Sequence, residues 1–566
     1  MKKVLLIYPY FIDDRIHVEE ISPPPIGLYS VAAVLKEKDY DVEILDWHEM
    51  SGRTGEMKEI LRDRKPDVIG VSLFHGNRWG GIEVARIAKA IDPGITIVFG
   101  GIGATFLWEH LLANFRDIDF VVLGEGEHSF LRLLQYLERE GSPGAPDIPG
   151  IAYRDHGIPN KTSDPEPIKD LDALPIPAKY YAYQHVSSSR GCAWDCAFCG
   201  SPKFWGRRIR FRSPRHFVEE LSLLYQRGHT FFYFSDDTFT LDRERAIGIC
   251  KSILEQGLDI TWYAISRVDC VDEEILYWMR KAGCIQISYG IESGSERIRR
   301  VLNKRINRND ILRAFRLTRR YGILPRAYFM YGSPGETDET IGETITLINE
   351  IKPLSTIFYV LDLFPGTRLF ESVKERMGLT DEIWLKKIEG ILYFEVDPAI
   401  SRQKILDYGK RLREAFYNHL HLFADADEMD LVDRKDLYPF HADFLSRLAM
   451  TFSHGDYARV PSIKGRETIA QNLYESSLRY HPNQRAYLGL AIIKQKRRAF
   501  RDSLVVLNKG LRLFPESKSL HVCAGISHMN LGEYDLALSH FSPYKGSPEV
   551  EPYLSHCRKA LAHGVR

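Results

Sequence analysis

Three cysteines fall within eight residues in Gly191-Cys192-Ala193-Trp194-Asp195-Cys196-Ala197-Phe198-Cys199-Gly200, a C-x3-C-x2-C spacing. The chain has only eight cysteines among 566 residues, so chance predicts on the order of 0.002 such triplets. That usage is too sparse for a disulfide scaffold and points to metal in a reducing compartment. Three thiolates on one tight loop can hold three corners of an iron–sulfur cube. A zinc site wants a fourth Cys or His in a second pair, and the nearest histidines, His185 and His216, form none. A cluster held by Cys192, Cys196 and Cys199 keeps one iron free for a substrate. The alternative, three buried thiols, leaves the spacing unexplained.

Around this loop the apolar pattern alternates between short runs and helical spacing. Runs at His185–Ser189, Thr230–Ser235, Ile260–Ser266, Ile285–Ile291, Arg326–Tyr331 and Thr356–Leu363 read as strands with helices between them. Six such units predict an open partial (β/α)6 barrel over 185–375, with chemistry at the carboxyl ends of its strands. Those ends are polar: Ser235-Asp236-Asp237, Ser266-Arg267-Val268-Asp269, Tyr289-Gly290-Ile291-Glu292 and Gly332-Ser333-Pro334-Gly335-Glu336.

Residues 1–140 alternate strand and helix five times, which predicts a doubly wound, Rossmann-like parallel sheet. Ligands of such sheets sit at the strand ends. Here the ends carry Ser72, then Gly100 and Gly101, then Gly124, Glu125 and Gly126. Glycines there let a bulky ligand approach the backbone; as the alternative they are plain turn residues. No G-x-G-x-x-G follows the first strand, which disfavours a dinucleotide. Residues 141–184 form a proline-rich linker with a small hairpin near Ile151–Ile158.

Taken together, Pro24-Pro25-Ile26-Gly27-Leu28, Pro66-Asp67-Val68-Ile69-Gly70-Val71-Ser72, Val98-Phe99-Gly100-Gly101, Asp119–Glu127 and the cysteine loop resemble the cobalamin (B12)-binding radical S-adenosylmethionine (SAM) enzymes, over about residues 1–365. The resemblance implies a [4Fe-4S] cluster, SAM and cobalamin as cofactors. It implies that SAM chelates the free iron and is cleaved to a 5′-deoxyadenosyl radical, and that cobalamin passes on a methyl group taken from a second SAM. By position it gives Asp236 and Asp237 to the SAM amine, Glu292 to the ribose hydroxyls and Arg267 to the SAM carboxylate, with Gly335 in the fourth strand-end turn. Ser72, Gly100, Gly101, Gly124, Glu125 and Gly126 become the cobalamin cradle. The structural alternatives are that Asp237 or Asp242 caps the helix from Arg243 and that Arg267 pairs with Asp269. The wider family's D-x-H-x-x-G is missing: Asp14 stands three residues before His17. Cobalamin is therefore expected without a histidine below the cobalt, and His17 and His75 read as loop histidines.

Residues 376–454 read as a helical and irregular extension without chemistry. Over 455–566 a period of 34 aligns Ala491 with Gly525, Phe500 with Tyr534 and Ser503 with Ala537. This resembles tetratricopeptide (TPR) repeats, a possible protein-binding face; the alternative is a plain helical cap. Lysine plus arginine and aspartate plus glutamate number 76 each, a neutral balance that disfavours nucleic-acid binding. The basic, aromatic segment Phe204–Arg212 reads as a solvated stretch beyond the cysteine loop. Val4–Ile7 is too short a run for a signal peptide, and no apolar run spans a membrane, so a cytoplasmic enzyme is expected. The expected function is methyl transfer to an unactivated carbon of a small-molecule or lipid-like substrate, with a flavodoxin or ferredoxin as electron donor. Cyclisation, rearrangement or carbon–carbon coupling is the runner-up. RNA methylthiolation is disfavoured because no cysteine precedes Cys192. A non-catalytic repeat scaffold is the remaining alternative.

Overall fold

Alternating side chains of the first strands are buried on opposite faces, as strands covered by helices on both sides require. In β1 (Lys3–Pro9), Leu5 and Ile7 enter one core with helices Thr54–Arg64, Arg78–Ile91 and Gly101–Asn114. Val4, Leu6 and Tyr8 enter another with helices Ile26–Lys36 and Gly126–Glu140. The computed structural model describes residues 2–12, 25–140 and 146–562; His17, Pro24 and Pro143 lie outside them. With β2 (Asp41–Trp47), β3 (Val68–Ser72), β4 (Thr96–Gly100) and β5 (Phe120–Val122), the parallel strand order is β2-β1-β3-β4-β5, the doubly wound sheet expected. The hairpin of the connector joins this sheet: β6 (Ile151–Asp155) pairs antiparallel with β5, and β7 (Ile158–Lys161) with β6. The rest of the connector is packed too. Ile168, Leu171 and Leu174 close over Val34, while Ile176 and Ala178 enter the core of the next sheet.

That sheet contains β8 (His185–Val186), β11 (Phe231–Phe234), β12 (Thr261–Ser266), β13 (Cys284–Glu292), β14 (Leu324–Tyr331) and β15 (Ser355–Val360). They are ordered β8-β11-β12-β13-β14-β15, all parallel. Each strand lies beside its sequence neighbour, so the sheet curls into the open half-barrel expected. Two short strands, β9 (Ser189–Arg190) and β10 (Arg210–Phe211), form a separate antiparallel ribbon flanking the cysteine loop.

Beyond β15 the extension is more than a cap. Trp384 is 1% exposed inside the first domain's core. Buried Arg78 donates to the carbonyls of His75, Trp384, Lys386 and Glu389 at 2.7–3.2 Å. Helix Arg402–Phe423 packs Ile405, Leu412 and Phe416 against the half-barrel. From Arg466 onward six α-helices follow, each packed on its neighbours in sequence. In the repeat alignment, Gly525 lies where a Cβ would be 2.5 Å from the Phe541 ring, so a small residue is needed there. No helix of the described residues is long and apolar enough to cross a membrane.

Because Arg78 satisfies three carbonyls of one strap together with that of His75, Arg78→Met is expected to cost about 2 kcal/mol. Denaturant unfolding measures the loss, and limited proteolysis should then cut first within residues 384–391.

Candidate functional site

The ribbon strand β9 delivers the chain to Gly191, whose φ is +101°. A Cβ there would lie 2.5 Å from the Arg208 carbonyl, so glycine is required for the turn into Cys192. The loop is then fastened to the half-barrel. The Ala197 N–H donates to the Leu302 carbonyl and its own carbonyl accepts from Leu369, both at 2.8 Å. Asn303 donates to the Asp195 carbonyl. The Arg267 guanidinium lies 3.8 Å from the Trp194 ring centre, a cation–π contact.

Cys192, Cys196 and Cys199 are free thiols of intermediate burial. Burial pushes Cys199 up to about 12, and its neighbours in the field are Asp237, Cys196 and Cys192. Burial also raises Cys196, which feels Lys304, Glu292, Arg267 and Cys192. The three thiols thus share one electrostatic neighbourhood, with cations beside it that favour thiolates. Among the described residues no group of three His, Cys, Asp or Glu side chains is gathered for a single metal ion. Three thiols on one loop, with no fourth Cys or His in a second pair, fit three corners of an iron–sulfur cube better than a structural zinc site.

The five strand-end candidates divide by role. Asp236, 1% exposed, accepts from the Ser188 N–H at 3.1 Å, its hydroxyl at 2.9 Å, and the Ser189 hydroxyl. It braces the β8–β9 turn. Among the described residues Asp237 accepts only from Ser201, at 2.6 Å; burial and Asp236 hold its carboxyl above the usual range despite that bond. The helix cap of Arg243 is Asp242, which accepts from Arg245 N–H at 3.0 Å, leaving Asp237 to the site. Arg267 is paired with Asp269 through two bonds of 3.0 Å. Glu292 stands at a bulge between β13 and β14 with φ +66°, a conformation that costs free energy outside glycine and collects at functional sites. Its carboxylate meets Lys304 at 2.9 Å. A Cβ on Gly290 would come within 2.5 Å of that carboxylate and 2.9 Å of the ammonium, so the pair folds back over bare backbone. Gly335, φ +74°, shapes the turn after β14 and lies outside the cavity wall described next.

A cavity of about 550 Å³ separates the strand ends of the first sheet from the mouth of the half-barrel. Ser72, Gly100, Gly101, Gly124, Glu125 and Gly126 all line it, and Cys199 and Asp237 line the opposite wall. A Cβ on Gly100 would meet nothing closer than 3.9 Å. The floor is therefore open above Gly100, whereas a Cβ on Gly101 would lie 2.9 Å from the Leu73 carbonyl and one on Gly124 3.0 Å from the Pro165 ring. Glu125 serves differently from the glycines: it accepts from Arg190, Arg210 and the Ile168 N–H. His75 also lines the cavity, with its Nε2 held by Asp362 at 2.7 Å, a strut between the two domains.

The comparisons agree with this geometry. The B12 binding domain family matches residues 18–134, and the Radical SAM superfamily matches residues 186–348. An uncharacterized methyltransferase of Pyrococcus horikoshii, PH0819, is 32% identical over 429 residues, covering 73% of this chain and 91% of the relative. The anaerobic magnesium-protoporphyrin IX monomethyl ester cyclase of Cereibacter sphaeroides is 27% identical over 439 residues, 74% of this chain and 71% of the relative. The fold is that of the radical SAM methyltransferase TsrM from Kitasatospora setae, solved with cobalamin and a [4Fe-4S] cluster: TM-score 0.58, 18% identity, 84% of this chain and 100% of that chain. The chain belongs to the radical SAM superfamily, in the group that carries a B12-binding domain ahead of the radical SAM domain. It is a radical SAM enzyme whose cofactors are a [4Fe-4S] cluster, SAM and cobalamin.

One sequence expectation is corrected. Phe204–Arg212 is solvated only in part: Gly206, Arg207 and Arg208 are exposed, whereas the half-buried Arg210 and Arg212 pair with Glu125 and Glu220. Trp205 sits under both Arg190 and Arg210, 5.8 and 5.6 Å from its ring centre. Two more residues were not singled out. Lys304 has no motif spacing to Glu292. Glu336 was read only as part of a turn, yet it is 6% exposed. One of its oxygens accepts from Gly332 N–H at 2.5 Å, while Oε1 has no hydrogen-bond partner among the described residues.

Cys196→Ala should lower reconstituted iron from about four atoms per chain to below one, while cobalamin absorption persists because its floor lies on the other sheet. Burial pushes Glu336 up to about 7 from 4.5. The folded state therefore keeps a proton that the unfolded chain releases, and stability falls as pH rises from 4.5 to 7. Glu336→Gln should remove about 3 kcal/mol of that fall, read from unfolding midpoints of both proteins across this window.

Proposed function

We propose that this enzyme transfers a methyl group to an unactivated carbon of a small-molecule or lipid-like substrate. The observation that carries the reading is the shared cavity, where the cobalamin floor of one sheet faces Cys199 and Asp237 of the other. The name of the Pyrococcus relative, which covers nearly its whole length, agrees with it. When bound, the cluster and SAM supply a 5′-deoxyadenosyl radical and cobalamin supplies the methyl group.

The chain's own residues bind and orient. Asp237 accepts from the SAM ammonium in this reading, and its partner Asp236 keeps the β8–β9 turn in place beneath it. Glu292 receives the ribose hydroxyls while retaining Lys304. Arg267 turns from Asp269 toward the SAM carboxylate, to which its planar fork is suited, and Gly335 keeps the β14 turn open. Ser72, Gly100, Gly101, Gly124 and Gly126 cradle the corrin. The division into 1–140, 141–184, 185–375, 376–454 and 455–566 then assigns cobalamin to the first unit and SAM to the third. A flavodoxin or ferredoxin supplies the electron, the C-terminal helices act as TPR-like repeats for a protein partner, and the enzyme works in the cytoplasm.

A second reading keeps the cofactors but closes a ring or rearranges carbon, as the name of the Cereibacter relative suggests. Turnover with methyl-labelled SAM separates them. A substrate that gains one labelled methyl supports transfer; a product without label, formed while SAM is consumed, supports the second reading.

A further inference from the structure

Among the described residues the concave face of the half-barrel is covered only in part: Gln286, Ser288, Ser355 and Ile357 of β13 and β15 are buried, but the face is open along the other strands. Along β11, β12 and β14 every second residue is buried against the outer helices, and the residues between them face inward and are only half-buried. Ile265, in the middle of the sheet on β12, is 38% exposed. The inward residues stack in layers. At the base, Phe231, Tyr233 and Tyr263 form an edge-to-face cluster with ring centres 4.9–5.5 Å apart, and His185 stacks on Tyr233 at 4.3 Å. One layer higher, register aligns Ile265, Ser288 and Arg326. Tyr328 follows, with Tyr359 at 5.8 Å, and Glu292 stands at the rim.

Four polar side chains of this lumen, Tyr233, Tyr263, Tyr328 and Arg326, are short of partners among the described residues. Among the described residues no hydrogen bond reaches the hydroxyls of Tyr233, Tyr263 or Tyr328, and the Arg326 side chain donates only to Ser355, at 2.9 Å, with no carboxylate in reach. The other site cations Arg190, Arg267 and Lys304 each have a carboxylate. A half-buried guanidinium without an anion, set among aromatic rings, is built to receive one.

We propose that the lumen binds the substrate, that the substrate has a flat apolar body, and that it ends in an oxyanion received by Arg326. The inference rests on the reading of the barrel mouth as the place of reaction. Ser288, level with Arg326, lies four residues along β13 from Glu292, about 13 Å at ~3.3 Å per residue. A molecule anchored on Arg326 must span roughly that length to bring its reacting carbon to the rim. Tyr328, between the two layers, packs on its body.

The test uses the holoenzyme and two fluorescent probes of the same flat body, 1-pyrenebutanoate and 1-pyrenebutanol. The wild type should bind the anion about 10-fold tighter than the alcohol, the preference expected of a charge-assisted hydrogen bond. Arg326→Gln should abolish the preference, Arg326→Lys should keep part of it, and Ile265→Trp, which fills the lumen, should abolish binding of both. Equal binding by the wild type, a preference that survives Arg326→Gln, or binding that survives Ile265→Trp each overturns the proposal. Cobalamin and iron content checks that the variants are folded. Binding is measured without turnover, so its failure is distinct from absence of labelled methyl in a product.

Discussion

Arg190 stands two residues before Cys192 and reaches out of its own domain. Its guanidinium bonds Glu125 and Glu127 of the cobalamin-domain strand end at 2.6 and 2.5 Å. Glu127 also accepts from Ser30 at 2.7 Å, and Arg210 grips Glu125 from the other strand of the ribbon. The strand-end loop of the first sheet and the three-cysteine loop are therefore joined through single side chains. Burial raises the Glu127 carboxyl, but the charge and hydrogen bonds of Arg190 more than offset it and leave its pKa below the ordinary value. The pair is ionised at neutral pH. A buried ion pair adds little net stability, since desolvation cancels most of its attraction, but it penalises any arrangement that separates the partners. Transfer between groups on two domains needs that specificity, because a slip of about 1 Å in a reacting geometry costs on the order of 100-fold in rate.

How far the sequence carried depended on the range of the interaction. Strand and helix order was legible because burial on two faces writes its period into a few consecutive residues, as in Val4–Tyr8 or Thr261–Ser266. The cysteine loop was legible because its three thiols sit within eight consecutive residues. Asp242 as the cap and Arg267 with Asp269 were legible as alternatives because both are local. Groups that meet across the fold were not. Glu127 and Arg190 are 63 residues apart, Glu292 and its Lys304 partner share no motif, and the strap from Trp384 to Glu389 meets Arg78 across about half the chain. Charge composition misled in one place. Arg210 and Arg212 look like solvated residues because nothing nearby in sequence neutralises them; Glu125 and Glu220 do so in space.

The same pairing governs how the site meets a charged ligand. A chain with zero formal charge can still concentrate charge, and here it does so in compensated pairs: Glu292 with Lys304, Arg267 with Asp269, Arg190 with Glu127. Each of these pairs keeps its buried charges satisfied before any cofactor arrives, whereas Asp237 and Glu336, which have no cation beside them among the described residues, have their carboxyls raised by burial. SAM carries an ammonium, a carboxylate and a sulfonium. Binding it into such a site is an exchange of partners rather than the burial of new charge, and the desolvation that opposes burying ions has largely been met during folding. The left-handed Glu292 backbone and the bare Gly290 beneath it hold that exchange in place. They keep the carboxylate at the rim, where it is bonded to Lys304.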